Sequence, residues 1–350
     1  MDVFLDWSNL TGLTLFVLLL VLLAEAANGW TDAPCATSAA VATGVLSSRQ
    51  ALWVTVAGNF VGLLASLLVG AAVAHTIGTG IVRPEMITVA SIGIAMLTVF
   101  LWSCIAAWLG LPVSKTHSLL AALAGIGFSL GGLEALTPAS GDWGDSGWVK
   151  VGIGAFSAIV AGSALSWVVA RSILTAKLED RIPEEWWRRM QIATVCIVSS
   201  GHGFNDGLKY VGIFTLVLFT SGMIPEFTVL PSVIVLCAIV MGIGTFVGGW
   251  RIHNRLDAMV NHPVAEQVGK KSFLPFMGVS SELVSGFLIW QTGWLGIPTS
   301  TNHATVAAMA GARSSSGKVH SGSLIKILWG WVVTYIFCFW MADLVTAVML

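Results

Sequence analysis

Hydrophobic residues fill long stretches of this 350-residue chain, and polar or Pro/Gly-rich breaks divide them into ten runs. The runs cover roughly residues 8–46, 51–75, 86–109, 112–133, 149–171, 190–221, 229–250, 272–293, 296–312 and 323–349. A helix of about 20 apolar residues spans the hydrocarbon core of a bilayer. The pattern therefore predicts an all-α integral membrane protein with about 10–12 transmembrane segments, and the first run is too long for one simple crossing.

Basic residues gather on one side if every run crosses the membrane once. The loops on that side hold 13 of the 17 lysines and arginines, namely Arg49, Arg171, Lys177, Arg181, Arg188, Arg189, Arg251, Arg255, Lys270, Lys271, Arg313, Lys318 and Lys326. The opposite loops hold only Arg83 and Lys150. Because cytoplasmic loops are enriched in Lys and Arg, we expect both termini to lie outside.

Composition excludes a soluble globular protein. Hydrophobic residues make up 56% of the chain and charged residues 10%, whereas soluble proteins carry about 25% charged residues. The net charge of −1 gives no sign of a nucleic-acid partner. The five cysteines lie in apolar segments without a CxxC motif, which indicates neither a disulfide framework nor a zinc site. We expect no cofactor.

A polar segment at 176–189 (AKLEDRIPEEWWRR) divides the chain into two halves with five runs each. The halves are residues 1–175 and 190–350, and the polar segment is the expected cytoplasmic linker. An odd number of crossings per half makes the second half enter the membrane in the opposite sense. This pattern predicts two inverted-topology repeats. Such repeats are common in secondary transporters and often contain broken helices or re-entrant hairpins.

Two motifs occur once in each half and in the same order. Residues 28–32 (NGWTD) match residues 202–206 (HGFND) when Gly29 is aligned with Gly203. Residues 109–117 (LGLPVSKTH) match residues 295–303 (LGIPTSTNH). The duplication supports the inverted repeat and marks both motifs as candidates for function.

Four carboxylates lie within long apolar stretches, namely Glu25, Asp32, Asp206 and Glu282. A charge at the centre of a bilayer costs at least about 2.5–3.5 kcal/mol, so such residues face a cavity, a partner or an ion. The alternative is a carboxylate that reaches an interface or caps a helix. The repeated polar surroundings of Asp32 and Asp206 favour the functional interpretation.

The glycines and prolines of the motifs predict helix breaks. Gly29 and Gly203 could free the backbone, and Pro112 and Pro298 suit the first turn of a restarting helix. Free N–H groups at a helix start attract anions, and nearby hydroxyls add donors. The candidate hydroxyls are Ser114, Thr116, Ser300 and Thr301. Alternatively, these residues serve only helix packing.

Three histidines belong to the same motifs, namely His117, His202 and His303. Histidines clustered in a membrane protein could relay protons or could fix the geometry of a hairpin, and the sequence does not separate these readings. Lys209, three residues after Asp206, could pair with a carboxylate or contact an anion.

The chain resembles the inorganic phosphate transporter family, also called PiT or PHO-4. That family carries a duplicated segment of the type GANDVANA, matched here by 27–38 in divergent form and more closely by 202–209. It also carries a PVSTTH-type segment in each half, matched by 112–117 and 298–303, and Glu282 matches a glutamate that often precedes the second. The departures are Thr31, Cys35, Lys115 and Asn302.

The resemblance implies symport of phosphate with H⁺ or Na⁺ across a bacterial-type inner or plasma membrane by alternating access, not enzymatic activity. The residues and the resemblance together give the candidate anion-binding residues Thr31, Ser114, Thr116, Asn205, Lys209, Ser300 and Thr301. The candidate coupling-ion residues are likewise Glu25, Asp32, Asp206 and Glu282, with Na⁺ at Asp32 and Asp206 as one candidate. The expected partners are phosphate and the lipid bilayer. A homodimer is one candidate assembly, and a carrier of sulfate or a passive anion channel is the alternative function.

Overall fold

The computed structural model describes residues 5–109, 113–137, 146–260, 273–317 and 321–350, and within them the protein is built from α-helices. The helices of the first half are α1 (Gly12–Thr31), α2 (Ala33–Ala36), α3 (Ser38–Ala42), α4 (Ser48–Val69), α5 (Ala72–Thr79), α6 (Val89–Leu109), α7 (Lys115–Gly131), α8 (Gly147–Phe156) and α9 (Gly162–Thr175). Those of the second half are α10 (Leu178–Arg181), α11 (Glu184–His202), α12 (Leu208–Thr220), α13 (Pro231–Val260), α14 (Pro275–Trp294), α15 (Thr301–Ser314) and α16 (Ser321–Met349).

Six of these helical stretches are long and apolar enough to cross a membrane. They are Gly12–Ala36, Ser48–Val69, Val89–Leu109, Lys115–Ala135, Gly147–Thr175 and Leu328–Met349, and Pro231–Val247 is a shorter apolar stretch. The prediction of an all-α, multi-pass membrane protein is thus confirmed. The segment expected to be a linker, 176–189, contains α10 and the first turns of α11.

The helices of the two halves pack in reciprocal pairs. Within the first half α6 packs against α1 and α7, and within the second half α14 packs against α11 and α15 in the same way. Between the halves, α1 packs against α13 while α11 packs against α4, and α7 packs against α16 while α15 packs against α9. Such an exchange of equivalent contacts is what two copies of one unit produce when they are related by a two-fold axis.

The chain leaves α1 at Asp32, and the cause is a proline. Pro34 stands in the first turn of α2 and cannot donate the backbone hydrogen bond that would continue α1. In the second half, Leu208 occupies the corresponding position, and the helix does not break. Instead α11 continues through a π-helical turn, Gly203–Gly207, into α12.

The expected break at Gly203 is therefore wrong, and both motif glycines have another purpose. A Cβ atom on Gly203 would lie 2.2 Å from the backbone oxygen of Asn59, and one on Gly29 would lie 2.2 Å from that of Met241. The glycines let α11 approach α4 and let α1 approach α13 more closely than any side chain permits. Close approach through glycine is typical of helix contacts in membranes.

Candidate functional site

The short helices α7 and α15 begin at the two proline-containing motifs, and a serine caps each of them. Ser114 Oγ accepts a hydrogen bond from the backbone N–H of His117 at 3.3 Å, and Ser300 Oγ accepts one from that of His303 at 3.4 Å. Serine is a favoured N-cap residue for this reason. The oxygens of both serines therefore fix the starts of the two helices, and each hydroxyl keeps an O–H group that can donate to an anion, as predicted.

The position of Pro298 also differs from the expectation. Helix α15 begins at Thr301 after the cap Ser300, so Pro298 precedes the helix rather than standing in its first turn. Pro112, its counterpart, lies outside the described residues. The proline directs the approach of the chain to the helix, and the serine starts the helix.

The starts of α7 and α15 meet in the interior of the protein. Asn302 Nδ2 donates to the backbone oxygen of Val113 at 2.8 Å. The rings of His117 and His303 pack edge to face with 4.0 Å between their centroids. Both helices thus direct the positive ends of their dipoles toward one buried region, which favours an anion there.

Asp32 lies beside the start of α7 and is almost fully buried. Its Oδ2 accepts a hydrogen bond from the backbone N–H of Lys115 at 3.1 Å, and the Lys115 ammonium lies 3.6 Å from Oδ1. The hydroxyl of Thr31 lies 3.1 Å from the same Oδ1. Lys115 Nζ is buried and has no hydrogen-bond partner within the described residues, so its donors are available to a ligand.

Asp206 lies in the π-helical turn and pairs with Lys209, whose ammonium donates to Asp206 Oδ1. The same ammonium donates to Thr116 Oγ1 at 2.6 Å and to the backbone oxygen of Thr299 at 2.7 Å. An ammonium has three N–H donors, and here each has an oxygen acceptor. Lys209 therefore joins its own helix to the starts of α7 and α15.

The other oxygen of Asp206 faces a histidine. His202 Nε2 lies 3.2 Å from Asp206 Oδ2, and His202 Nδ1 lies 2.8 Å from Asn59 Oδ1. Asn59 Nδ2 in turn donates to Thr245 Oγ1 at 3.1 Å. This chain of side chains ties the Asp206 carboxylate to α4 and α13.

Asn205, the residue before Asp206, holds the segment that precedes α15. Its Oδ1 accepts a hydrogen bond from the backbone N–H of Thr299 at 3.1 Å, and its Nδ2 lies 3.3 Å from the backbone oxygen of Ile297. Because both groups of the amide contact this segment, Asn205 positions the backbone that precedes α15.

The remaining two predicted carboxylates lie apart from each other. Glu25 accepts a hydrogen bond from Asn28 Nδ2 at 3.2 Å and is close enough to Asp206 and Lys209 to interact with them electrostatically. Glu282 belongs to a separate cluster, in which Gln191 Nε2 donates to it at 3.2 Å and Thr194 Oγ1 donates at 2.7 Å.

The structure thus brings most of the predicted residues to one buried cluster at the contact between the halves, which we call the central site. Its members are Thr31, Asp32, Ser114, Thr116, His117, His202, Asn205, Asp206, Lys209, Ser300, Thr301 and His303. Glu282 stands outside the central site.

Three further residues contribute to the site without having been predicted, namely Lys115, Asn59 and Asn302. A lysine within an apolar run next to a predicted site was a signal that could have identified Lys115. The sequence signal for Asn59 and Asn302 was weaker, because each is a single amide near apolar residues.

A family model described as the phosphate transporter family matches residues 28–186 and again residues 174–342. A probable low-affinity inorganic phosphate transporter of Rhizobium meliloti is 30% identical over 336 residues, which cover 91% of this chain and 93% of that protein. A protein of the same description from Bacillus subtilis is 28% identical and covers 92% of both chains.

A solved structure has the same fold. It is described as the sodium-dependent phosphate transporter, and it matches with a TM-score of 0.80 over 97% of this chain and 99% of that chain. Its sequence is 18% identical, so the likeness concerns the fold alone. The double match of the family model agrees with the two repeats, and the relatives are named as transporters, as expected. The chain belongs to the phosphate transporter family.

Proposed function

We propose that this protein takes up inorganic phosphate across an inner or plasma membrane by symport with H⁺ or Na⁺, using alternating access and with both termini outside. The names of its relatives support the substrate. The observation that carries the proposal is the convergence of two capped helix starts, α7 and α15, on one buried cluster of carboxylates and ammonium groups.

The chemistry of the central site suits a tetrahedral oxyanion. Helix starts supply N–H groups and dipole ends, and the Thr301 hydroxyl is buried without a hydrogen-bond partner in the described residues. Lys115 Nζ offers free donors while its charge stays beside Asp32. Donors of this kind hold phosphate without a cluster of arginines, which favours release as well as binding.

Alternating access fits the reciprocal packing of the halves. Each half contributes one helix start to the central site, and Lys209 bridges both starts. A rocking motion of one half against the other would change these contacts together, as expected for transporters built from inverted repeats.

Uptake of labelled phosphate into proteoliposomes under an imposed H⁺ or Na⁺ gradient tests the proposal. Asp206→Asn is expected to lower initial uptake by at least about tenfold, because it leaves the buried Lys209 charge without its carboxylate. Glu226→Gln is the matched control, since Glu226 is exposed, and it should behave as the wild type.

Wild-type rates from Asp206→Asn would contradict the site. Excess unlabelled phosphate should suppress uptake, and suppression by sulfate alone would assign a different oxyanion. Flux that is unaffected by collapsing both gradients would indicate a channel.

A further inference from the structure

Each of the two aspartates in the central site has a cationic partner, and both partners are lysine side chains of this chain. Lys209 donates to Asp206, and the ammonium of Lys115 lies 3.6 Å from Asp32. All four side chains are nearly inaccessible to solvent. A buried carboxylate needs a compensating charge, and each of these two receives it from a lysine.

The surroundings of the Lys209 ammonium resemble those of a bound alkali cation. Its three acceptors are a carboxylate oxygen, a hydroxyl oxygen from Thr116 and a backbone oxygen from Thr299. Carbonyl oxygens of an unwound segment beside a broken helix are the ligands that transporters offer to Na⁺. Because the ammonium contacts all three oxygens, a sodium ion could not bind to the same set.

The two lysines do not stand at equivalent positions of the repeats. Aligning Gly29 with Gly203 places Cys35 opposite Lys209, and aligning Pro112 with Pro298 places Thr301 opposite Lys115. Each half therefore provides a lysine for its own aspartate from a different motif. Duplication of one ancestral lysine does not account for this arrangement, whereas a requirement for one fixed cation at each aspartate does.

Other ionisable groups also surround the pair of Lys209 and Asp206. Asp32 and Glu25 are the further carboxylates that interact with Lys209 electrostatically, and His202 faces Asp206 from α11. His117 and His303 lie near enough to Lys209 to interact electrostatically with its charge. Asp32 has its own lysine, so the central site is not left with two unpaired aspartates.

We propose that this transporter moves phosphate without sodium, because Lys209 and Lys115 occupy the cation positions beside Asp206 and Asp32. The inference rests on the proposed function and narrows it: of the two candidate coupling ions, H⁺ remains. It also separates this chain from its sodium-dependent structural neighbour, with which it shares the fold.

Phosphate uptake in sodium chloride and in potassium chloride, at one pH and equal concentration, provides the first test. Wild-type rates should be equal in the two salts. Lys209→Ala should lose at least about tenfold in potassium, because Asp206 is left unpaired, and sodium should restore a large part of that loss. Lys150→Ala is the control, because Lys150 lies in α8 outside the central site, and it should match the wild type in both salts.

Thermal unfolding of the purified proteins in detergent gives a second readout that does not depend on transport. Sodium should raise the Tm of Lys209→Ala by roughly 3 °C relative to potassium, since a ligand that binds only the folded state stabilises it. The wild type and Lys209→Arg should show no such difference. If Lys209→Ala does not fold, Lys115→Thr, which introduces the residue of the second repeat, should show the same sodium effects.

The outcomes separate the two proposals. A wild type that moves no phosphate under any gradient contradicts the proposed function, and the unfolding measurements still decide the cation question. Wild-type uptake that requires sodium overturns the inference and leaves the proposed function standing. The inference is also overturned if Lys209→Ala keeps wild-type uptake in potassium, or if a folded Lys209→Ala responds to sodium in neither measurement.

Discussion

The imidazole rings of His117 and His303 contact each other edge to face, one from each half of the protein. His303 also packs against Trp331 with 3.6 Å between ring centroids. Both nitrogens of His303 are buried without a hydrogen-bond partner in the part of the chain that the structure describes. An unpaired buried polar group costs about 1–3 kcal/mol, so packing alone does not explain a histidine here.

His303→Phe should therefore separate packing from chemistry. Phenylalanine keeps an aromatic ring against Trp331 and removes the unpaired nitrogens, so the Tm should stay the same or rise. Phosphate uptake should fall by about tenfold, because no donor or proton carrier remains. The measurement is uptake and Tm on one preparation, and wild-type uptake would assign His303 to packing only.

Asn205→Ala should impair transport by releasing the segment before α15. The backbone N–H of Thr299 loses its acceptor, at a cost of about 1–3 kcal/mol for a buried donor. The maximal rate of phosphate uptake should fall by about tenfold, because α15 loses its alignment. Asn9→Ala is the control, because it removes a half-buried amide near the N-terminus that also donates to a backbone oxygen, that of Gly222. Equal uptake by both variants would contradict the role of Asn205.

Gly203→Ala should destabilise the protein. The added Cβ would meet the backbone of Asn59 on α4, and overpacking of this kind costs about 1–3 kcal/mol. The expected result is a lower Tm in detergent. Gly152→Ala is the matched control, because its Cβ would find no atom of a neighbouring element within 4 Å, and a Tm that falls equally in both variants would argue against a tight crossing.

Glu282→Gln should separate coupling from phosphate binding. The side chain accepts from Gln191 and Thr194, and glutamine keeps an oxygen for one of these bonds but cannot take up a proton. If Glu282 carries the coupling proton, net uptake driven by a pH gradient should fall by about tenfold, while exchange of labelled for unlabelled phosphate should persist. Gradient-driven uptake at the wild-type rate would remove Glu282 from the coupling step.

The sequence allowed the central site to be predicted because charges within apolar runs are conspicuous. Asp32, Asp206 and Lys209 stood out on that ground, and duplication of the surrounding motifs strengthened the prediction. The contacts of the ammonium groups could not be predicted. Lys209 reaches Thr116 and Thr299 only because α7 and α15 start at the same place, and that depends on the packing of whole helices.

Local chemistry explains where the helix predictions succeeded and failed. The break expected at Gly29 lies at Asp32 instead, and Pro34 causes it. The second copy has Leu208 in place of this proline and continues through a π-helical turn. Ser114 and Ser300 cap their helices, a role that the sequence also allowed because serine is a favoured N-cap residue, and their part in anion binding stays a prediction.

The exchange of partners between the halves also constrains how the protein is made. Helix α1 packs against α13 and helix α7 against α16. Helices made early in synthesis therefore reach their final neighbours only after helices made much later have left the ribosome. Before α12 is made, Asp32 and Lys115 can pair with each other, whereas Thr116 lacks the ammonium of Lys209. The order of biosynthesis therefore completes the central site only after α15, the last helix that contributes residues to it, has been made.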